Sequence, residues 1–163
     1  MGVHEQAIGA TDEWYTPERV FVAMGATFDF DPCGGPDNCP ATRYCRTVNR
    51  ERDGLRSGWH GFVWLNPPFG GRNALGPWLY KFARHGNGVV LTPDRTSAPW
   101  WQAFAQRADA ALFVAPKLRF IGADGREGRS PAQGTTLMAI GAQGVTALRR
   151  AEVAGLGLLM GRI

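Results

Sequence analysis

Four short apolar segments set the terms for this chain: Phe62 to Leu65, Gly88 to Thr92, Ala111 to Ala115 and Thr135 to Ile140. Each is too short for a typical helix and reads as a strand, the first two as strands buried in the sheet. A fifth, Thr27 to Asp31, alternates Thr-Phe-Asp-Phe-Asp and breaks at Pro32-Cys33-Gly34-Gly35-Pro36. Helical patterns fall between them. Thr16-Pro17-Glu18 reads as an N-cap, a first-position proline and a first-turn acid, opening a helix that turns Val20, Phe21 and Met24 inward and stops at Gly25. Leu75 to Arg84 and Pro99 to Arg107 read as two more helices, the second carrying Trp101 and Phe104. Strands alternating with helices predict an α/β fold. The expectation is a mixed, mainly parallel sheet of about six to seven strands, with helices on both faces and an antiparallel hairpin toward the C-terminus.

Other stretches are less patterned. Residues 37 to 60 read as polar and irregular, and Lys117 to Phe120 as extended before the turn Ala123-Asp124-Gly125. Thr135 to Ile140 is expected to be the final strand, antiparallel to its predecessor, with the tail from Gly144 to Ile163 adding a hairpin or a short helix. With 163 residues, one domain spanning 1–163 is expected, without a separate recognition domain. A formal net charge of +4 permits nucleic-acid binding without requiring it. Met1 to Ala10 lacks the pattern of a signal peptide and no apolar run is long enough to span a bilayer, so a cytoplasmic protein, a monomer with no membrane partner, is expected. Cys33, Cys39 and Cys45 fit no common zinc spacing and read as free thiols. Only a meeting of Cys39, Cys45 and His60 in space would make a metal site, and no metal is expected.

In such sheets ligands bind beyond the carboxyl ends of the strands. Two turns hold that position: Asp31 to Pro36, and Asn66-Pro67-Pro68-Phe69. The second suits a planar amine. The lone pair of such an amine is delocalised, and a side-chain carbonyl and a backbone carbonyl that each accept one of its hydrogens localise it. Asn66 offers the first acceptor and Pro67 the second. Pro67 and Pro68 fix φ and so preorganise both, and Phe69 offers a stacking face. In the first turn, Asp31 could pair with a ligand amino group, and Gly34 lets the backbone approach it. An ordinary glycine turn explains Gly34-Gly35 as well. Trp14 and Tyr15 read either as packing on a ligand or as an anchor for the first helix.

Basic residues gather twice. Arg43, Arg46, Arg50, Arg52 and Arg56 lie close together, as do Lys117, Arg119, Arg126 and Arg129. Either group could follow a phosphate backbone or form a solvated surface. Arg95, just past a strand, could hold a flipped base or a phosphate, or could pair with Asp94. Trp101 reads as core, and Trp100 is open between core and site.

Asn66-Pro67-Pro68-Phe69 resembles the catalytic motif of amino-group methyltransferases. Asp12-Glu13-Trp14-Tyr15-Thr16-Pro17, Phe30-Asp31-Pro32-Cys33, Asp53-Gly54-Leu55, Trp64 to Phe69, Pro93-Asp94-Arg95-Thr96 and Lys117-Leu118-Arg119-Phe120 resemble, in family order, phage-type Dam DNA adenine-N6 methyltransferases. The resemblance implies a Rossmann-like methyltransferase fold and S-adenosylmethionine, held by Thr16, Pro17, Asp31, Pro32, Cys33 and Gly34. It leaves Asp53 between the cofactor adenine and a helix cap. It implies catalysis at Asn66, Pro67, Pro68 and Phe69 on double-stranded DNA, for which Arg95, Lys117, Arg119, Arg46, Arg50 and Arg52 are the candidate contacts. It also suggests a phage or prophage origin in a host cytoplasm and protection against restriction. Methylation of RNA or protein glutamine, and a catalytically silent DNA-binding module, are the competing readings.

Overall fold

A computed structural model of the chain describes residues 14–50, 53–70 and 74–161. In chain order the elements are β1 (Trp14–Tyr15), α1 (Glu18–Met24), β2 (Phe28–Asp31), a 3-10 turn at Pro40–Arg43, β3 (Cys45–Val48), β4 (Val63–Leu65) and α2 (Leu75–His85). There follow β5 (Gly88–Pro93), α3 (Pro99–Ala105), β6 (Ala110–Val114), β7 (Ile121–Gly122), β8 (Thr135–Ile140), α4 (Ala142–Val153) and β9 (Gly157–Gly161).

Seven strands form one sheet in the order β3-β2-β4-β5-β8-β6-β9, and β1 pairs with β7 in a small separate ribbon. Strands β3, β2, β4 and β5 are parallel neighbours, while β8 runs antiparallel to both β5 and β6. The mixed sheet and its antiparallel C-terminal side match the sequence expectation.

The period of two along each strand divides the core. Phe28, Trp64, Val89, Leu91, Leu112 and Leu137 point to one face, where α1 and α4 cover them with Val20, Phe21, Met24, Ala147, Leu148 and Ala151. Phe30, Val63, Leu65, Val90 and Met138 point to the other, under Leu75, Leu79 and Phe82 of α2 and Trp101 and Phe104 of α3. Trp101 is thus core, as expected, and Trp100 packs against the edge of the same cluster. Helices on both faces explain why every position of β4 and β5 is buried and why all but Thr92 are non-polar: neither face meets water.

Three expectations need correction. Helix α1 is capped one residue late: Pro17 is the N-cap, with an extended ψ of 146°, and no side chain caps the helix. Thr16 is buried beneath it instead, although Gly25 closes the helix in the left-handed conformation as expected. The segment from 37 to 60 is not wholly irregular, because Cys45–Val48 adds an edge strand to β2. Only Cys45 of that strand is buried, so its sequence lacks the apolar signal of the inner strands. Finally, β8 is not the last strand. The tail forms a full helix, α4, and then β9, antiparallel to β6. Small residues hid the helix: Gly144, Ala147 and Ala151 are its buried positions alongside Leu148, and they let it lie close to the sheet.

Candidate active site

Strands β2 and β4 are parallel neighbours, with Phe30 opposite Val63, so Asp31 and Asn66 leave the same edge of the sheet. Asp94 and Arg95 follow β5 at that edge as well.

Asp31 ends β2 almost fully buried. One carboxylate oxygen, Oδ1, accepts the backbone N–H groups of Cys33 at 3.0 Å and Gly34 at 3.1 Å, which folds the Pro32-Cys33-Gly34 turn back over the strand end. Among the described residues no hydrogen bond falls on the other oxygen. Burial pushes the carboxyl up to about 6, against the two N–H bonds that favour its charged form. Gly34 adopts φ +55°, and a Cβ there would lie 1.9 Å from the Asn49 carbonyl oxygen, so this turn admits only glycine. Pro32 is buried, and its carbonyl accepts the Asn49 amide at 3.2 Å. Burial and the neighbouring Asp31 charge raise the Cys33 thiol well above its usual range, so it is an apolar wall rather than a nucleophile.

Thr16 and Pro17, which directly follow Tyr15, are both buried. The Thr16 hydroxyl is sealed from solvent without a hydrogen-bond partner among the described residues. Tyr15 packs toward Gly35, since a Cβ on that glycine would sit 3.4 Å from its ring. Tyr15 and Trp14 thus run between the two turns.

Trp14 also holds Asn66. The Asn66 Nδ2 donates to the Trp14 carbonyl at 3.2 Å. A carbonyl only accepts, so the amide nitrogen must face it, and the amide oxygen is left turned away as an acceptor. Pro67 is buried while Pro68 and Phe69 are exposed. Phe69 retains 38 % of its accessible surface and meets Phe120 edge-on, with ring centroids 6.4 Å apart. The β1–β7 ribbon, with Trp14 opposite Gly122, closes this side of the site. The role of Trp14 had no sequence signal, because every residue has a carbonyl and only the fold selects one.

Asp53 serves as a local cap. Its carboxylate accepts the Arg56 N–H at 3.2 Å and pairs with the Arg56 guanidinium at 3.0 Å, the cap role that the sequence left open. The turn it caps lies against Pro32, because a Cβ on Gly54 would come within 2.1 Å of the Pro32 carbonyl oxygen. Lys81, unremarkable in the sequence, clasps the same turn by donating to the carbonyls of Gly54, Leu55 and Ser57.

The first arginine group meets acids that are distant in sequence. Arg43 pairs with Glu18 at 2.9 Å, Arg46 with Asp29 at 3.1 Å, and Arg50 with Asp37. Arg52 lies outside the described residues, as do Asp12 and Glu13. Arg95 is exposed and donates to the Gln133 side chain at 3.2 Å rather than to Asp94, which accepts the Thr136 hydroxyl at 2.5 Å. Lys117 donates to the carbonyls of Pro131 and Ala132, and Arg119 stands 3.7 Å from Glu127.

Cys39 and Cys45 lie on the α1 face, whereas the His60 ring lies tilted against Phe30 on the opposite one, so the three do not meet. Among the described residues no three histidine, cysteine or acidic side chains gather in a way that could hold a metal ion. Nor, among those residues, is any helix long and apolar enough to cross a membrane.

Neither the curated proteins nor the solved structures searched gave a match. The family model described as DNA N-6-adenine-methyltransferase (Dam) matches residues 5–146, most of the chain, and the protein therefore belongs to this family of S-adenosylmethionine-dependent enzymes.

Proposed function

We propose that the protein is a single Rossmann-like domain, spanning 1–163, that methylates the exocyclic amine of an adenine flipped out of double-stranded DNA at a specific sequence. The observation that carries this reading is the Asn66 amide, anchored through its nitrogen on Trp14 with its oxygen left as an acceptor, on the sheet edge that also bears Asp31. Family membership supplies the reaction class.

The residues present fit S-adenosylmethionine. A buried carboxylate with one oxygen committed to the backbone suits a ligand ammonium, and the sealed Thr16 hydroxyl suits a ligand polar group. In this reading Asp31 holds the α-amino group, and Thr16, Pro17, Pro32, Cys33 and Gly34 line the pocket. Asp53, already bonded to Arg56, borders it. The bound cofactor supplies an electrophilic methyl group on a sulfonium.

A duplex buries the adenine amine, so the base must leave the stack, at a cost of a few kcal/mol. The exposed face of Phe69 receives it, and such stacking is worth about 1–3 kcal/mol per base. Asn66 Oδ1 and the Pro67 carbonyl each accept one amine hydrogen, which localises the nitrogen lone pair toward the methyl group. Both acceptors strengthen as positive charge grows on nitrogen, so they stabilise the transition state more than the ground state. Pro68 stiffens the loop that presents them. Arg95, Lys117 and Arg119 contact the DNA from the Asn66 side. Arg46 and Arg50, whose charges are offset by acids, contribute less.

The test is transfer of a tritiated methyl group to unmethylated plasmid, followed by nucleoside analysis. Label is expected on adenine N6 alone; label on cytosine, RNA or protein would overturn the reading.

A further inference from the structure

We infer that a basic cleft beside the active site binds a backbone phosphate of the DNA strand that presents the target base. This rests on the DNA-methylating reading above. The cleft has a volume of about 500 Å³ and is lined by Arg19, Pro116, Lys117, Arg119, Glu127 and Ser130. Three cations thus face one carboxylate.

The hydrogen bonds around the cleft leave that charge available. Glu18, next to Arg19 in sequence, is engaged by Arg43 and Tyr44 on a different side of α1. No ion pair to Arg19 exists among the described residues. Lys117 spends two of its three donors on the carbonyls of Pro131 and Ala132. These fix the ammonium without neutralising it, and one donor remains for an anion. Arg119 meets Glu127 only at 3.7 Å, with both side chains more than half exposed, so the pair is weak and exchanges readily for a phosphate. By contrast Arg43, Arg46, Arg50 and Arg56 each contact a carboxylate at 3.1 Å or closer.

Both walls of the cleft lead to the site of chemistry. Arg19 stands on the first turn of α1, just after the Trp14-Tyr15-Thr16 segment whose Trp14 carbonyl anchors Asn66. Lys117 and Arg119 lie within three residues of Phe120, whose ring meets Phe69. A phosphate held here therefore lies on the Phe69 side of the active site, where the strand carrying a flipped base must pass. Ser130 adds a hydroxyl donor of the kind that commonly contacts phosphate oxygens. Arg19 is the new member of this set, since on a short amphipathic helix it reads as a solvated charge.

The experiment uses the full chain and duplex DNA. DNA affinity is measured by fluorescence anisotropy across a salt series, and cofactor affinity by calorimetry, for wild type, Arg19→Gln/Arg119→Gln, Arg19→Lys and Arg46→Gln. The double variant should lose about one unit of the salt slope and bind DNA about tenfold more weakly, whatever the sequence. Its cofactor affinity should be unchanged, because both side chains are exposed. Arg19→Lys should keep the wild-type slope, and Arg46→Gln should move it little. An unchanged slope in the double variant, or an equal loss in Arg46→Gln, overturns the inference. The two readings fail separately: adenine methylation with an unchanged slope sinks only the cleft, and a lowered slope without adenine methylation sinks only the activity.

Discussion

The turns after β2 and β4 leave the same sheet edge but are built in opposite ways. The Asp31–Gly35 turn is closed on itself: its carboxylate bonds its own backbone, and its glycine packs onto Asn49. The Asn66–Phe69 turn is held from outside, by one bond to Trp14 and one ring contact to Phe120, and its last residues stand in solvent. A self-contained turn is rigid before any ligand arrives and suits a small cofactor of fixed shape. A turn that leaves its acceptor and its aromatic face exposed suits a large substrate that arrives later. The difference predicts that damage to the first is read in cofactor affinity and damage to the second in turnover and DNA binding.

The largest expected effect is on the open turn. Asn66→Ala should lower turnover by about 10²–10³, the scale for one lost preorganised polar contact, with cofactor affinity unchanged. Single-turnover kinetics with calorimetry would measure both, and a parallel loss of cofactor binding would erase the distinction between the turns.

A smaller effect is expected from the closed turn. Asp31→Asn keeps the acceptor for the two backbone N–H groups but removes the charge. The loss of one charge-assisted hydrogen bond, about 1.5–3 kcal/mol, should weaken cofactor binding roughly 10- to 150-fold. The pH dependence sharpens this. Burial raises the unligated Asp31 carboxyl to about 6. Cofactor affinity should therefore hold above that pH and fall below it, approaching tenfold per unit. Stability responds oppositely: the folded carboxyl binds its proton more tightly than the unfolded one, so Asp31 favours the unligated fold as pH falls from about 6 toward 4. In Asp31→Asn the pH dependence of cofactor binding near 6 should vanish, and its persistence would assign the titration to another group.

The smallest effect is expected at Phe69. Phe69→Ala should weaken productive DNA binding by about 1–3 kcal/mol, while Phe69→Tyr and Phe69→Trp retain the stacking face and stay near wild type. If all three behave alike in KM for DNA, stacking is not what the residue contributes.

Much of this site was legible in the chain because its parts are local. Asn66-Pro67-Pro68-Phe69 carries its acceptors and its stacking face within four residues, and Asp31 lies three residues from the glycine whose N–H it accepts. Strands β4 and β5 announced themselves because burial on both faces favours apolar residues, Thr92 being the one polar exception. Strand β3 did not, because an edge strand needs only one buried side chain and takes its backbone bonds from a neighbour. Helix α4 was ambiguous because its buried stripe is mostly Gly and Ala, chosen for close approach rather than apolar bulk.

The sequence by itself determined the layered α/β architecture and the position of both turns at strand ends. Each follows from periodicity or from groups bonded within a few residues. Tertiary structure alone decided which way the Asn66 amide points, since Trp14 comes from 52 residues away. It also decided which charges remain available. The arginines of residues 43–56 look like one basic run in the chain, yet Glu18, Asp29 and Asp37 reach three of them across the fold. Arg19, far in sequence from Lys117 and Arg119, shares a cleft with them. Electrostatic balance depends on distance in space, and a linear chain does not specify that distance until its sheet has brought the segments together.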